Sequence, residues 1–139
     1  MMRKHYRLIP HTADIAIMVD AKSLEKLYSN SARALFDILV GVDSIKHRME
    51  KKVSVEGVDR DDLLIRFLNE LIYIFSTERI ILSSFKIIRL KSRELICMAK
   101  GERFDSLKGV KNEIKAATYC DFKIEKKRGG YKARVIFDV

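Results

Sequence analysis

The feature that most constrains this fold is a wide apolar stripe, repeated at helical spacing, between residues 63 and 75. The stripe runs over about four turns and comprises Leu63, Leu64, Phe67, Leu68, Leu71, Ile72 and Phe75. Asp61 and Asp62 precede it, where the positive end of a helix dipole favours negative charge. A stripe this wide predicts a helix that lies flat against a sheet.

A second amphipathic helix is predicted from Ser23 to Gly41. Ser23 is a favourable N-cap, although Lys26 stands where a capping box would have Glu or Gln. The apolar residues that recur at helical spacing are Leu24, Leu27, Tyr28, Ala34, Leu35, Ile38 and Leu39. Gly41 is expected to end the helix.

The remaining apolar segments have the composition or the alternation of strands. Strands are predicted over Tyr6 to Ile9, Asp14 to Val19, Met49 to Glu56, Ser84 to Leu90, Glu94 to Gly101, Ile114 to Glu125 and Tyr131 to Val139. The residues from Pro10 to Ala13 are expected to form a bend, and Gly129-Gly130 a tight hairpin turn. Because helices and strands do not alternate throughout, the pattern predicts an α+β fold. It would have mostly antiparallel sheet(s), with the two amphipathic helices packed on one face.

Length and composition favour one domain over residues 1–139, since 47% of the residues are apolar and only six are glycine and one is proline. No apolar run reaches the ~18 residues that a membrane span requires, and no signal peptide is evident, so a cytoplasmic protein without membrane contact is expected. Cys97 and Cys120 are both predicted to be buried thiols without a disulfide.

The chain is basic, with 28 Lys and Arg residues against 19 Asp and Glu and a net charge of +9. The excess is concentrated in Lys46 to Lys52, Lys86 to Arg93 and Lys123 to Arg134. Such charge favours a polyanionic partner, because neutralised phosphates release counterions. Aromatic residues that would stack on bases are scarce, since Tyr131 is the only one in the last basic run.

Familiar catalytic motifs are missing, so no catalytic residue is predicted. The sequence has no Walker loop, GxGxxG fingerprint, GxSxG elbow or HExxH helix. His5, His11 and His47 do not stand beside a carboxylate or cysteine at a spacing that suggests a triad. His47 is interpreted as a residue of a basic surface loop.

Two carboxylates stand next to apolar strand sequence. Asp14 lies where the chain enters a strand, and Asp138 is the penultimate residue before Val139. A turn-capping role for Asp14 and an ordinary exposed strand end for Asp138 remain open. If Asp14 lies on a neighbouring strand, however, its carboxylate would converge with those of Asp138 and the chain terminus. Three hard oxygen donors favour Ca²⁺, Mg²⁺ or Mn²⁺ over zinc.

Four short segments, in order along the whole chain, resemble the archease family. They are His11-Thr12-Ala13-Asp14-Ile15, Asn69-Glu70-Leu71-Ile72-Tyr73, Glu113-Ile114-Lys115-Ala116-Ala117-Thr118-Tyr119 and Phe137-Asp138-Val139. The resemblance implies an accessory protein of the RtcB-type RNA ligase, which joins tRNA halves after intron removal. It implies that the protein is no enzyme itself, but promotes guanylylation and multiple turnover of the ligase.

The same resemblance assigns a divalent-cation site to Asp14, Asp138 and Val139. Lys115 and, more weakly, Lys108 are candidates to neutralise this cluster or to meet a nucleotide phosphate. His11 is a candidate to orient the Asp14 turn, and Glu70 is a further supporting candidate. Cys120 stands where the family often has histidine, so any role of that histidine is in doubt here.

Three alternatives to the accessory-factor interpretation remain. A basic RNA-binding module would present tRNA to a processing enzyme, and its RNA affinity would fall steeply with salt. A general chaperone-like factor would act on unrelated enzymes and be indifferent to Asp14. A metal-dependent hydrolase has only the acidic cluster in its favour and lacks an evident general base.

Overall fold

The structure is a computed structural model that describes residues 6–9, 14–41, 44–105 and 109–139. Two helices and eight strands occupy these ranges. In chain order they are β1 (Tyr6–Ile9), β2 (Ile15–Ala21), α1 (Leu24–Leu39), β3 (Met49–Glu56), α2 (Arg60–Glu78), β4 (Ile80–Lys91), β5 (Glu94–Arg103), β6 (Ala116–Thr118), β7 (Ile124–Lys127) and β8 (Gly130–Asp138). The bend predicted at Pro10 to Ala13 lies outside the described residues.

The strands form two sheets, and every strand pairing in the described ranges is antiparallel. The five-stranded sheet has the order β1-β2-β8-β6, with β7 also paired to β8. The three-stranded sheet has the order β3-β5-β4. Together with the two helices, this confirms the predicted α+β class.

Side-chain caps define where both helices begin. Ser23 Oγ accepts a hydrogen bond from the Lys26 N–H at the start of α1, and Asp59 accepts one from the Asp62 N–H at the start of α2. Helix α1 ends before Gly41, whose φ of 81° is left-handed and therefore suits glycine. The predicted limits of α1 are confirmed.

One hydrophobic core joins the helices to the inner faces of both sheets. Helix α1 packs against β2 and β4, and α2 packs against β3 and β6, so each helix touches both sheets. The core includes Ile17, Val135 and Phe137 of the five-stranded sheet, Val53, Leu95 and Cys97 of the three-stranded sheet, and Leu35, Phe67 and Leu71 of the helices. In the described ranges, no helix is long and apolar enough to cross a membrane.

Three predictions are corrected. The segment from Ile114 to Glu125 is not one strand, because Thr118 pairs with Ile136 and Ile124 pairs with Ala133. Residues 119–123 therefore lie opposite only residues 134–135 of β8, and the extra residues turn outward. Strand β4 begins at Ile80, before the predicted start at Ser84. Cys97 is buried as predicted, but Cys120 is exposed because it lies in that outward turn.

Candidate functional site

The strand register brings Asp14 and Asp138 to the same end of the five-stranded sheet. Ile15 of β2 pairs with Phe137 of β8, so one further step along the register places Asp14 opposite Asp138. Directly opposite residues of antiparallel strands have Cβ atoms about 5 Å apart, on the same face of the sheet. Asp14 lies in the bend just before β2, so the register brings it to the same sheet end as Asp138.

This shared face is the one turned away from the main core. Ile15 and Phe137 pack with the core. Because side chains alternate along a strand, Asp14 and Asp138 are on the opposite face, together with Ala16 and Ile136. The Asp138 side chain is exposed, whereas that of Asp14 is half-buried. A cation or a partner protein can therefore reach the Asp138 side chain from outside the fold.

Strand β6 fixes the other side of the chain terminus. Ala116 pairs with Asp138, and the Lys115 N–H donates to the Asp138 carbonyl at 2.8 Å. Asp138 is thus held between two strands although its side chain is exposed. Val139 follows directly and is 46% exposed, so this end of the strand faces solvent.

The remaining candidates fall into three groups. Lys115 is exposed and shares the strand end with Asp138 and Val139. Glu70 is not brought to this end, because it lines a groove between α2 and the three-stranded sheet, together with Glu94 and Ile96. His11 and Lys108 lie outside the described residues.

Asn69 was missed as a functional candidate in the sequence. Its side-chain oxygen accepts from the Ala117 N–H at 2.7 Å and its amide nitrogen donates to the Ala117 carbonyl at 3.1 Å. Helix α2 thereby holds β6 in place beside Asp138. The available signal was an amide side chain at the border of the apolar stripe, next to Leu68, where a half-buried polar residue is expected to have a partner.

The chemistry of the donors fits a hard divalent cation in an open site. In the part of the chain that the structure describes, no three His, Cys, Asp or Glu side chains cluster in a way that could hold a metal ion. The candidate donors predicted here, on Asp14, Asp138 and Val139, are all oxygen atoms. Since Ca²⁺ takes six to eight oxygen ligands, this set suits a cation that shares its other ligands with water or a partner.

Comparison with known proteins decides the family. The sequence model of the Archease protein family matches residues 6–139. The chain belongs to the archease family. Archease of Pyrococcus furiosus is 39% identical over 141 residues, covering 98% of this chain and 97% of the relative. Archease of Archaeoglobus fulgidus is 38% identical over 136 residues, covering 96% and 98%.

Solved structures agree with this archease assignment over the full fold. Protein 1598 of Methanobacterium thermoautotrophicum superposes with a TM-score of 0.86 at 30% identity, covering 99% of this chain and all of that one. An archease of Thermotoga maritima, described as a possible chaperone, superposes with a TM-score of 0.65 at 26% identity, covering 100% and 98%. The strand end that carries Asp14 and Asp138 is therefore the candidate site of an archease-family protein.

Proposed function

We propose that this archease-family protein activates an RtcB-type RNA ligase in tRNA splicing, promoting guanylylation and multiple turnover from its acidic strand end. The observation that supports the proposal is the pairing of Ile15 with Phe137, from which one further step along the register would bring Asp14 opposite Asp138. Membership of the archease family supports the accessory-factor proposal, and the motif resemblance implies Asp14, Asp138 and Val139 as its metal-binding residues. The bond-making chemistry belongs to the ligase, and this protein contributes no catalytic residue.

The acidic strand end acts by holding a divalent cation next to the ligase active site. Ca²⁺, Mg²⁺ or Mn²⁺ supplies positive charge against nucleotide phosphate when it is bound. Asp14, Asp138 and the Val139 carboxylate hold it with oxygen ligands, while β2 and β6 fix the backbone on either side. Lys115 balances the negative charge when the cation leaves.

The test is multiple-turnover RNA ligation by the cognate ligase with catalytic amounts of this protein. We expect Asp14→Asn, Asp138→Asn and a chain extended beyond Val139 to lose the stimulation. Each should also lose more than about tenfold in Ca²⁺ or Mn²⁺ affinity, measured by calorimetry, because each removes or displaces a ligand. Thermal unfolding verifies that every variant is folded.

Asp121→Asn is the matched control. Asp121 is exposed and adopts a left-handed φ of 51°, which asparagine tolerates equally well. The control makes the same chemical change in the turn between β6 and β7 and should stimulate as the native chain does. Full stimulation by the Asp14 and Asp138 variants would sink the proposal, and equal stimulation of unrelated enzymes would favour a chaperone-like factor instead.

A further inference from the structure

A basic cleft of about 670 Å³ lies at the opposite end of the five-stranded sheet from Asp14 and Asp138. It is bounded by β1, the connection from β2 to α1, and the turn between β7 and β8. Its cationic lining residues are Arg7, Lys22, Lys26, Lys127 and Arg128. Asp20 is the single carboxylate among the lining residues that the structure describes.

Most of this positive charge is not neutralised by the fold. Lys127 Nζ lies 3.5 Å from Asp20 Oδ2, a partly exposed contact that contributes little. Within the ranges that the structure describes, the other four cations form no ion pair. Four positive side chains on three separate segments thus converge without a counter-charge, and their mutual repulsion is relieved when an anion binds.

Local backbone contacts hold the cleft in shape. Gly130 packs so closely against the end of β2 that a Cβ there would lie 2.1 Å from the Ala21 carbonyl oxygen. At Gly129, which has a φ of 83°, a Cβ would meet nothing within 4 Å, so the tip of the turn is open. Asn30 Nδ2 donates to the Asp20 carbonyl at 3.1 Å and ties α1 to the same place. The cations therefore project from a rigid rim.

We propose that this cleft binds the phosphate backbone of single-stranded RNA. Lysine and arginine side chains that follow a groove are the usual contacts to nucleic-acid phosphates. On the same outer face, Arg134 lies opposite Met18 and Lys132 opposite Asp20 in the strand register, so positive side chains continue from the cleft along β8 and the ligand is longer than one nucleotide. Because aromatic residues for stacking are scarce, with Tyr6 alone in the lining, binding should depend little on sequence.

The location allows RNA and ligase to be contacted at once. Strand β8 runs from the cleft to Asp138 over Gly130–Asp138, so the two sites are separated by more than about 20 Å at a strand rise near 3.3 Å per residue. The inference goes beyond the proposed function and does not rest on it. RNA binding is measured without ligase, so a failure of the RNA-binding proposal would leave the ligase-activation proposal intact, and the reverse also holds.

The experiment is fluorescence anisotropy of a labelled oligouridylate of about ten nucleotides, titrated with the full chain over a range of salt concentrations. The cleft variant is Lys22→Gln, Lys26→Gln and Arg128→Gln combined. We expect it to lose at least about tenfold in affinity and to flatten the slope of log K against log salt by about 2, because three phosphate contacts are removed.

A matched control removes the same charge elsewhere. Lys52→Gln, Lys86→Gln and Lys100→Gln combined neutralise three exposed lysines on the outer face of the three-stranded sheet. This control should change affinity by less than about threefold, as expected for a long-range charge effect alone. Equal losses in the two triple variants would overturn the site, since net charge and not the cleft would then carry binding.

Two further outcomes decide the nature of the ligand. If GTP or pyrophosphate displaces the RNA at concentrations close to that of the protein, the cleft is a small-anion site and the RNA proposal is wrong. If the native chain fails to bind the oligonucleotide even at low salt, the proposal is also wrong. A variant with Lys22→Arg and Lys26→Arg retains the charges and should bind as the native chain does.

Discussion

Asn69 connects helix α2 to the strand that flanks the chain terminus. Its two hydrogen bonds satisfy both backbone groups of Ala117, which is only 4% exposed. Ala117 follows Ala116, the register partner of Asp138. A single amide thus fixes a three-residue strand that is too short to hold its position by strand pairing alone.

We predict that Asn69→Ala lowers the free energy of unfolding by about 1–3 kcal/mol, because a buried N–H and a buried carbonyl lose their partner. Asn69→Asp retains the acceptor for the Ala117 N–H and should have a smaller effect. Urea unfolding followed by circular dichroism measures both changes. Ser76→Ala, an exposed change on the same helix, is the control and should change stability by less than about 0.5 kcal/mol. An effect of Asn69→Ala as small as that of the control would contradict the role of Asn69.

Single residues could be predicted where the local sequence carries the signal, and not where the role depends on a residue far away in the chain. Asp14 and Asp138 could be singled out because each is a carboxylate beside apolar strand sequence, whereas the pairing of β2 with β8 that brings them to one sheet end is supplied only by the fold. The role of Asn69 depends on a partner 48 positions away, which no local spacing reveals. Cys120 was wrongly predicted to be buried because its neighbours are apolar, whereas the turn places it outside.

At the scale of elements, Asp62 ties the start of α2 to two neighbouring segments. Its carboxylate accepts from the Val58 N–H at 2.9 Å, from Arg66 Nε at 2.8 Å and from the Tyr119 hydroxyl at 2.6 Å. The Tyr119 hydrogen bond comes from the turn between β6 and β7. It is the leading cause that holds the pKa of Asp62 below its usual value, followed by the Val58 N–H.

A lowered pKa makes this contact sensitive to acid. Because the folded-state pKa lies below the unfolded value of about 3.9, the stabilisation is fully present above that value and is lost as pH falls through the folded pKa. We predict that Asp62→Asn is less stable than the native chain by about 1–2 kcal/mol near neutral pH. That difference should shrink below about pH 4.

Urea unfolding at a series of pH values from about 7 to 3 checks the linkage. Tyr119→Phe removes the leading hydrogen bond and should reduce the pH-dependent difference without abolishing it, because Val58 and Arg66 still donate to Asp62. A stability difference between native chain and Asp62→Asn that stays constant into acid would show that the carboxylate charge is not what stabilises the contact.

Helices and strands could be predicted where the apolar residues follow one repeat along the segment. Prediction was poorer where two short strands, β6 and β7, pair with the same strand, β8. The apolar stripe between Leu63 and Phe75 reproduces the buried face of α2. The segment from Ile114 to Glu125 reads as one apolar run, but β8 pairs with each half separately. The intervening turn contains Asp121 with φ of 51°, a conformation that aspartate enters more easily than most residues.

The described residues form two sheets that share one core. Both helices contact both sheets, so neither sheet can separate without exposing the apolar faces of α1 and α2. Cys97 reports on the three-stranded sheet, where it is fully buried and where burial raises the pKa of its thiol to about 12. Val135, also fully buried, occupies the matching inner position of the five-stranded sheet.

We therefore predict that the chain unfolds in one cooperative transition. In a Cys120→Ser background, the buried Cys97 thiol should become reactive to a thiol reagent at the same urea midpoint at which the helical circular dichroism signal is lost. A second protein carries Val135→Cys with Cys97→Ala and Cys120→Ser, which moves the thiol to the other sheet with little change in volume. The urea midpoint of thiol reactivity is compared with that of the circular dichroism signal in the same variant, so any loss of stability caused by the substitutions affects both midpoints equally.

If the two midpoints coincide in both proteins, the sheets open together. If Cys97 reacts well before the dichroism changes while the thiol at position 135 does not, the three-stranded sheet opens by itself and the shared core does not make the molecule one unit.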